Sequence, residues 1–243
     1  MVDRYKMARK RKIEESKRKP REKGAKPREE RVKKTRTLLG ETIEDWVPKS
    51  KLGKKVVAGE VQSLDDIFDK NLSILEPLIV DHFISELKEK IIDTKKTSYV
   101  RMSGRKYSFR CSVLVGDGSK FLGIGTAKDT DKWNAVRKAA RKARLSMVRV
   151  SKGCGSWQCA CGTEHSVPIT VEGKCGSVRV KIMPAPQGVG LVVADSIKPV
   201  FEFAGVKDVW GKSFGSTSTT LNFVKAAIEA LSKTHKWLIW VMN

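Results

Sequence analysis

The first 36 residues hold 17 Lys and Arg against 6 Asp and Glu, a net charge of +11, with almost no apolar side chains. Such a segment has too little to bury to offset the entropy of ordering it, so it reads as a basic disordered tail. Any fold must come from the other 207 residues, which carry the remaining half of the +22 formal charge. A chain basic throughout seeks a polyanion, and the tail itself can condense on phosphates by releasing counterions. With 40% hydrophobic residues a core is feasible, and 243 residues suit one large domain or two small ones.

Several classes drop out. No stretch approaches the ~20 consecutive apolar residues of a membrane span, and Met1 to Lys12 is charged where a signal peptide would be apolar. The expectation is an intracellular protein. Five cysteines is an odd number and four lie between Cys154 and Cys175, which points to reduced thiols or a metal site rather than a disulfide framework.

From Leu38 the pattern alternates. Ser63, followed by Asp65 and Asp66, reads as the N-cap of a short helix through Phe68. Leu78, Ile79, Phe83, Ile84, Leu87 and Ile91 form one apolar helical face, which predicts a helix from Pro77 to about Asp93. Strands follow over Ser98–Met102 and Lys106–Val115, joined by a turn at Ser103-Gly104-Arg105. The alternation of Tyr107, Phe109, Cys111, Val113 and Val115 with mostly polar neighbours predicts a sheet covered on one side. A third strand runs from Phe121 to Thr126, where Gly123 and Gly125 permit close backbone approach.

Asp129 or Thr130 is placed to cap a long basic helix. Trp133, Val136, Ala140, Ala143 and Met147 give it a packing face, and Lys132, Arg137, Lys138, Arg141, Lys142 and Arg144 leave the rest cationic. After Val150 comes a Gly/Cys loop, then strands at Val167–Val171 and Ser177–Met183, a rigid turn at Pro184–Gly188 and a short strand at Leu191–Val193. Helices are predicted at Ile197–Ala204 and Thr219–Ser232, so this half is α+β.

Catalysis has no candidate constellation. The glycines of GDGSKFLGIGTAK form neither a P-loop nor GxGxxG, so no nucleotide cofactor is expected. His82, His165 and His235 are the only histidines, and His82 and His235 read as packing or exposed residues. In GCGSWQCACGTEH, however, Cys154, Cys159, Cys161 and His165 lie close together, with Cys175 ten residues further on. Such soft ligands suit tetrahedral structural zinc. The spacing is not the paired C-x2-C of a zinc ribbon, and buried reduced thiols are the competing reading.

The stretches VRMSGRKYSFRCSVLVGDGSKFLGIGTAK, WNAVRKAARKARLSMVRV, GSVRVKIMPAPQGVGLVV and AGVKDVWGKSFGSTSTTLNFVKA together resemble the universal small-subunit ribosomal protein five family. WVPKSKLGKKVVAGEVQSLDDIF is similar to the extension of its archaeal and eukaryotic branch, and the Cys-rich loop is archaeal in type. The resemblance covers Leu38 to Thr234. It implies an α+β fold: an N-terminal double-stranded-RNA-binding-like domain and a small C-terminal α+β domain with a left-handed βαβ crossover, a handedness that periodicity would not predict. The implied division is a tail at 1–36, an extension with N-terminal helices at 37–93, domains at 94–150 and 151–236, and an aromatic tail at 237–243.

The resemblance also implies a role. It is that of a non-enzymatic, cytoplasmic constituent of the small ribosomal subunit that binds rRNA and neighbours ribosomal proteins four and eight. Such a protein lies near the messenger RNA path into the subunit and supports assembly and decoding accuracy. Arg101, Ser103, Gly104, Arg105 and Lys106 match its rRNA-reaching hairpin loop, and Lys128 and the cations of the basic helix (Lys132, Arg137, Lys138, Arg141, Lys142) belong to the same RNA-binding set. Lys212, Gly215, Ser216 and Thr217 match a K-x-x-G-S segment able to hold a phosphate, with plain N-capping as the alternative. The rival readings are a free double-stranded-RNA-binding regulator using only the first half, and, third, a zinc-dependent RNA-modifying enzyme.

Overall fold

The computed structural model describes residues 46–84 and 86–242, so the expected tail lies outside the described residues. Among the described residues three short helices come first: α1 (Lys51–Val57), α2 (Leu64–Asp69) and α3 (Leu78–Phe83). Ser63 caps α2 as expected, in a reciprocal capping box with Asp66. Glu76 ties the segment before α1 to α3. It accepts from the Trp46 indole at 2.8 Å, from Lys49 N–H at 2.8 Å and from Ser50 N–H.

The helix expected to reach Asp93 stops at Phe83, where Ile84 turns extended, and strand β1 runs from Lys88 to Arg101. Periodicity misled because Ile91-Ile92-Asp93-Thr94 is also a good strand sequence and β2 (Gly104–Gly116) offers a full antiparallel partner, with a register shift between Ile91 and Asp93. With β3 (Phe121–Asp129) and β4 (Met147–Arg149) these strands form a sheet in the order β1-β2-β3-β4. Helix α4 (Lys132–Leu145) is capped by Asp131 rather than Asp129 or Thr130, because β3 continues to Asp129.

This sheet is covered on both faces, not one. Cys111, Val113 and Val115 pack with Ala135, Ala139 and Ala143 of α4. A Cβ on Gly123 or Gly125 would lie 2.3 or 2.0 Å from carbonyl oxygens of α4, so only glycine admits the helix. On the other face Leu114 and Leu122 enter one core with Phe201, Val224 and Leu231 of the second half.

The second sheet has the order β5-β6-β8-β7, built from β5 (Val171–Cys175), β6 (Val178–Pro184), β7 (Leu191–Val192) and β8 (Val209–Phe214). β7 and β8 pair in parallel with helix α5 (Lys198–Ala204) between them in sequence. The strand expected at Val167–Val171 begins only at Val171, since Val167 and the residues before it belong to the Cys loop. Helix α6 (Thr220–Met242) continues past Ser232, where no Gly or Pro interrupts it.

Two further corrections concern α4. Trp133, expected in the core, is 59% exposed. Arg144, expected on the cationic surface, is fully buried: it donates to Asp81 at 2.8 Å, Glu89 at 2.6 Å and the Ala140 carbonyl at 3.3 Å.

Replacing Arg144 by Met should cost about 3–5 kcal/mol, because two carboxylates stay buried without their partner. Arg137→Met, at an exposed position of the same helix, should change urea stability by less than about 0.5 kcal/mol. The Glu76 carboxyl sits below its ordinary value: burial pushes it up, but the Ser50 N–H and hydroxyl, the Trp46 indole and the Lys49 N–H outweigh that. Its stabilisation is present above the ordinary carboxylate range and lost as pH falls through the lowered folded value. Glu76→Gln should therefore be about 1 kcal/mol less stable at pH 7 and indistinguishable from the parent at the acid end of a pH–Tm series.

Candidate nucleic-acid interface and metal centre

β2 pairs with β3 only from Phe109 onward, so the β1–β2 hairpin projects beyond the sheet as a two-stranded arm. Its tip is Met102-Ser103, with Gly104 at φ +111° already paired to Arg101, one residue earlier than the predicted turn. Arg101, Ser103, Gly104, Arg105 and Lys106 are all exposed. Apolar surface is interleaved with them: Met102 is wholly exposed, Val100 is 74% exposed, Lys96 lies 3.9 Å above the Tyr107 ring and Arg101 5.2 Å from the Tyr99 ring. Cations thus alternate with exposed aromatic and apolar faces along the arm.

Lys132, Arg137, Lys138, Arg141 and Lys142 occupy the exposed side of α4, and Lys128 is exposed on β3 opposite Arg110. Lys138 is partly neutralised by Asp129 at 2.6 Å. Lys212 is exposed on β8, in the second sheet. Ser216 and Thr217 are exposed in the turn before α6, where the Ser216 carbonyl accepts from the Thr219 hydroxyl at 2.8 Å. The basic set thus divides between the first sheet with its helix and, in the second sheet, β8 with the turn that follows it.

The Cys loop is built between β4 and β5. Gly153 and Ser166 pair across it, Gly155 N–H donates to the Val167 carbonyl, and a Cβ on Gly155 would lie 2.0 Å from the Pro168 oxygen. This close packing folds the loop back so that the sulfurs of Cys154, Cys159 and Cys161 and a ring nitrogen of His165 all lie within 4.8 Å of one another. His165 Nε2 is 3.3 Å from Cys154 Sγ and 3.7 Å from Cys159 Sγ. Cys175 is not in the group; it sits on β5, 4.0 Å from the Asn222 amide oxygen.

Asp208, which sequence reading missed, completes the arrangement. Its Oδ2 is 2.8 Å from His165 Nδ1, and its Oδ1 accepts from Gly188 N–H at 3.1 Å and Gly190 N–H at 2.8 Å. With the proton on Nδ1, Nε2 presents its lone pair to the sulfurs. Burial alone would raise the Asp208 carboxyl, but the Gly190 N–H, His165 and the Gly188 N–H outweigh it and hold it below the ordinary carboxylate value. Cys161 is lowered to about 6 by the Thr163 hydroxyl and N–H, with help from Cys159. At Cys154 the Ser156 N–H pulls the thiol down, but burial and the neighbouring Cys161 and Cys159 sulfurs leave it raised.

A carboxylate on Nδ1 and a thiol near Nε2 would also describe a Cys–His–Asp nucleophile. A nucleophile needs one sulfur, whereas three converge here, which is what a metal requires. The other histidines serve packing: His82 meets the Trp46 and Phe83 rings, and His235 Nδ1 lies 3.2 Å from the Ser151 hydroxyl. No described helix is long and apolar enough to cross a membrane.

Gly155→Ala should force the Pro168 segment away and open the Cys cluster, and should lower the affinity of the full-length chain for added Co2+ at least tenfold in an absorbance titration.

Residues 87–151 match the N-terminal domain of ribosomal protein S5, and residues 173–239 match its C-terminal domain. Over 198 residues the chain is 48% identical to small ribosomal subunit protein uS5 of Staphylothermus marinus, covering 82% of this chain and 92% of that protein. It is 47% identical over 189 residues to uS5 of Methanocaldococcus jannaschii (78% and 87% covered) and 46% identical over 189 residues to that of Methanobrevibacter smithii (78% and 89%). Two S5 domains in order, and relatives aligned across both halves, show that the chain belongs to the ribosomal protein S5 family.

Proposed function

We propose that the chain is a structural, non-enzymatic constituent of the small ribosomal subunit in the cytoplasm and binds rRNA through its projecting hairpin and basic helix. The observation that carries this reading is the hairpin tip. Arg101, Arg105 and Lys106 stand clear of the core beside exposed Met102 and Tyr107, an arrangement suited to phosphates and bases but not needed for folding. The two halves divide the work. Residues 94–150 act as a double-stranded-RNA-binding-like unit, reading shape and phosphate through Lys128 and the outer face of α4. Residues 151–236 form the ribosomal α+β half, with a left-handed crossover between the parallel strands β7 and β8, and hold a phosphate near Lys212, Ser216 and Thr217.

In the subunit the chain neighbours ribosomal proteins four and eight, near the messenger RNA path, and supports assembly and decoding accuracy. Relatives that align along both halves weigh against a free regulator using only the first. The test is sedimentation: after a salt wash the protein should remain with the small subunit, and a main pool free of ribosomes would overturn the reading. Replacing Arg137, Lys138, Arg141 and Lys142 with Gln should weaken RNA binding and flatten its dependence on salt. An unchanged slope would assign that face to a protein neighbour.

The Cys3His group is a structural zinc site in this reading. A zinc tetrahedron with bonds of about 2.3 Å has edges of about 3.8 Å, so closing the group from 4.8 Å takes shifts of about 1 Å. Cys154, Cys159, Cys161 and His165 would hold the ion, and when bound it would staple the loop. Asp208 holds the imidazole from behind, so Asp208→Asn should weaken zinc about 10–100-fold in a chelator competition. Changing Cys154, Cys159 and Cys161 to Ser should remove one zinc per washed subunit. Unchanged zinc content would make the thiols packing residues.

A further inference from the structure

The second sheet has α6 on one face only. Gly173 of β5 meets that helix so closely that a Cβ would lie 2.0 Å from the Ala226 oxygen. Among the described residues no element covers the opposite face, and the pairing register fixes what it shows. Lys174 stands opposite Arg179, Glu172 opposite Lys181, and Lys181 in turn opposite Lys212, which gives four cations against one carboxylate. Glu172 spends its charge on Lys181 at 3.3 Å.

Between the cations lie flat and apolar groups. Phe214, 48% exposed, pairs with Arg179 and has the Lys212 ammonium 5.6 Å from its ring centre. Trp210 pairs with Met183 on one side and with Val192, 53% exposed, on the other. A soluble sheet face with no partner ordinarily carries short polar residues and balanced charge. This one carries an aromatic at each end of β8 with cations spaced along the neighbouring strands.

We infer that this open face is a second RNA surface, a stacking platform for an unpaired stretch of rRNA, separate from the hairpin and α4. Phe214 and Trp210 offer rings to bases, and Lys174, Arg179, Lys181 and Lys212 neutralise the backbone running across the strands. Unpaired RNA is favoured over a duplex because bases must be free to stack, and over a protein partner because the face is so one-sidedly cationic. The inference rests on the reading that the chain binds rRNA and adds a site to it.

Two measurements test it. In washed small subunits, ultraviolet cross-linking followed by mass spectrometry should place nucleotide adducts on the peptide holding Trp210 and Phe214, as well as on the hairpin peptide around Tyr107. Adducts on the hairpin alone, or lysine-directed cross-links from Lys174 or Lys181 to another protein, would overturn the platform and leave the rRNA reading intact. The second uses the purified full-length chain and a uridine 12-mer. Replacing Lys174, Arg179 and Lys181 with Gln, with the fold checked by circular dichroism, should reduce the slope of log affinity against log salt by about 2, at roughly 0.7 per lost phosphate contact. An unchanged slope overturns the platform whatever the hairpin does. Arg105→Gln with Lys106→Gln reports on the hairpin independently.

Discussion

One guanidinium ties the junction between α3 and β1 to α4, more than fifty residues further along the chain. Arg144 leaves the cationic face of α4 and enters the interior, where Asp81 of α3, Glu89 of β1 and the Ala140 carbonyl surround it. A charge there is tolerated only with partners in good geometry. The same contacts hold α3 against the first sheet at the base of β1, while α1 and α2 reach that sheet through an apolar cluster with Phe121 and Met147. Lys132, Arg137, Lys138, Arg141 and Lys142 stay on the exposed side of the helix, where Lys138 also meets Asp129. The helix therefore buries one positive charge to build the fold and presents the others at its surface.

A second constraint is the core shared by the two sheets. Leu114 and Leu122 pack with Phe201 and Leu231, so the first sheet lies between α4 and the second half. Such burial places the hairpin arm and the outer face of the second sheet on one packed unit. The Cys loop lies between β4 and β5 and is tied to β8 through Asp208, whose carboxylate also holds the turn at Gly188 and Gly190. Closing the cysteine group thus reaches the loop, the end of β8 and the turn before β7 together.

Much of this was legible in the residues. The α2 cap, the hairpin, the basic helix and the close-approach glycines all follow from local pattern, and the cysteines with His165 announce a ligand set by type. The failures share a cause. Ile91 could serve either period, and only the availability of β2 as a partner decided for strand. The two-sided burial of β2 depends on elements that arrive later in the chain, and the burial of Arg144 on carboxylates 55 and 63 residues before it, so no local signal marks either. Asp208 stands 43 residues from His165 in an otherwise unremarked turn, and only the fold brings it near. That His165 and not Cys175 joins the three clustered cysteines likewise required knowing that β5 carries Cys175 toward Asn222. Charge and ligand type can be read locally; which charge is buried and which ligand converges cannot.

Contact of the hairpin and the outer face of α4 with rRNA in the small subunit can be read by quantitative lysine acetylation, comparing washed small subunits with the free full-length chain. Lys106, Lys132 and Lys142 should lose reactivity in the subunit and regain it after nuclease treatment. Equal reactivity of all three in the subunit and in the free chain would contradict the account.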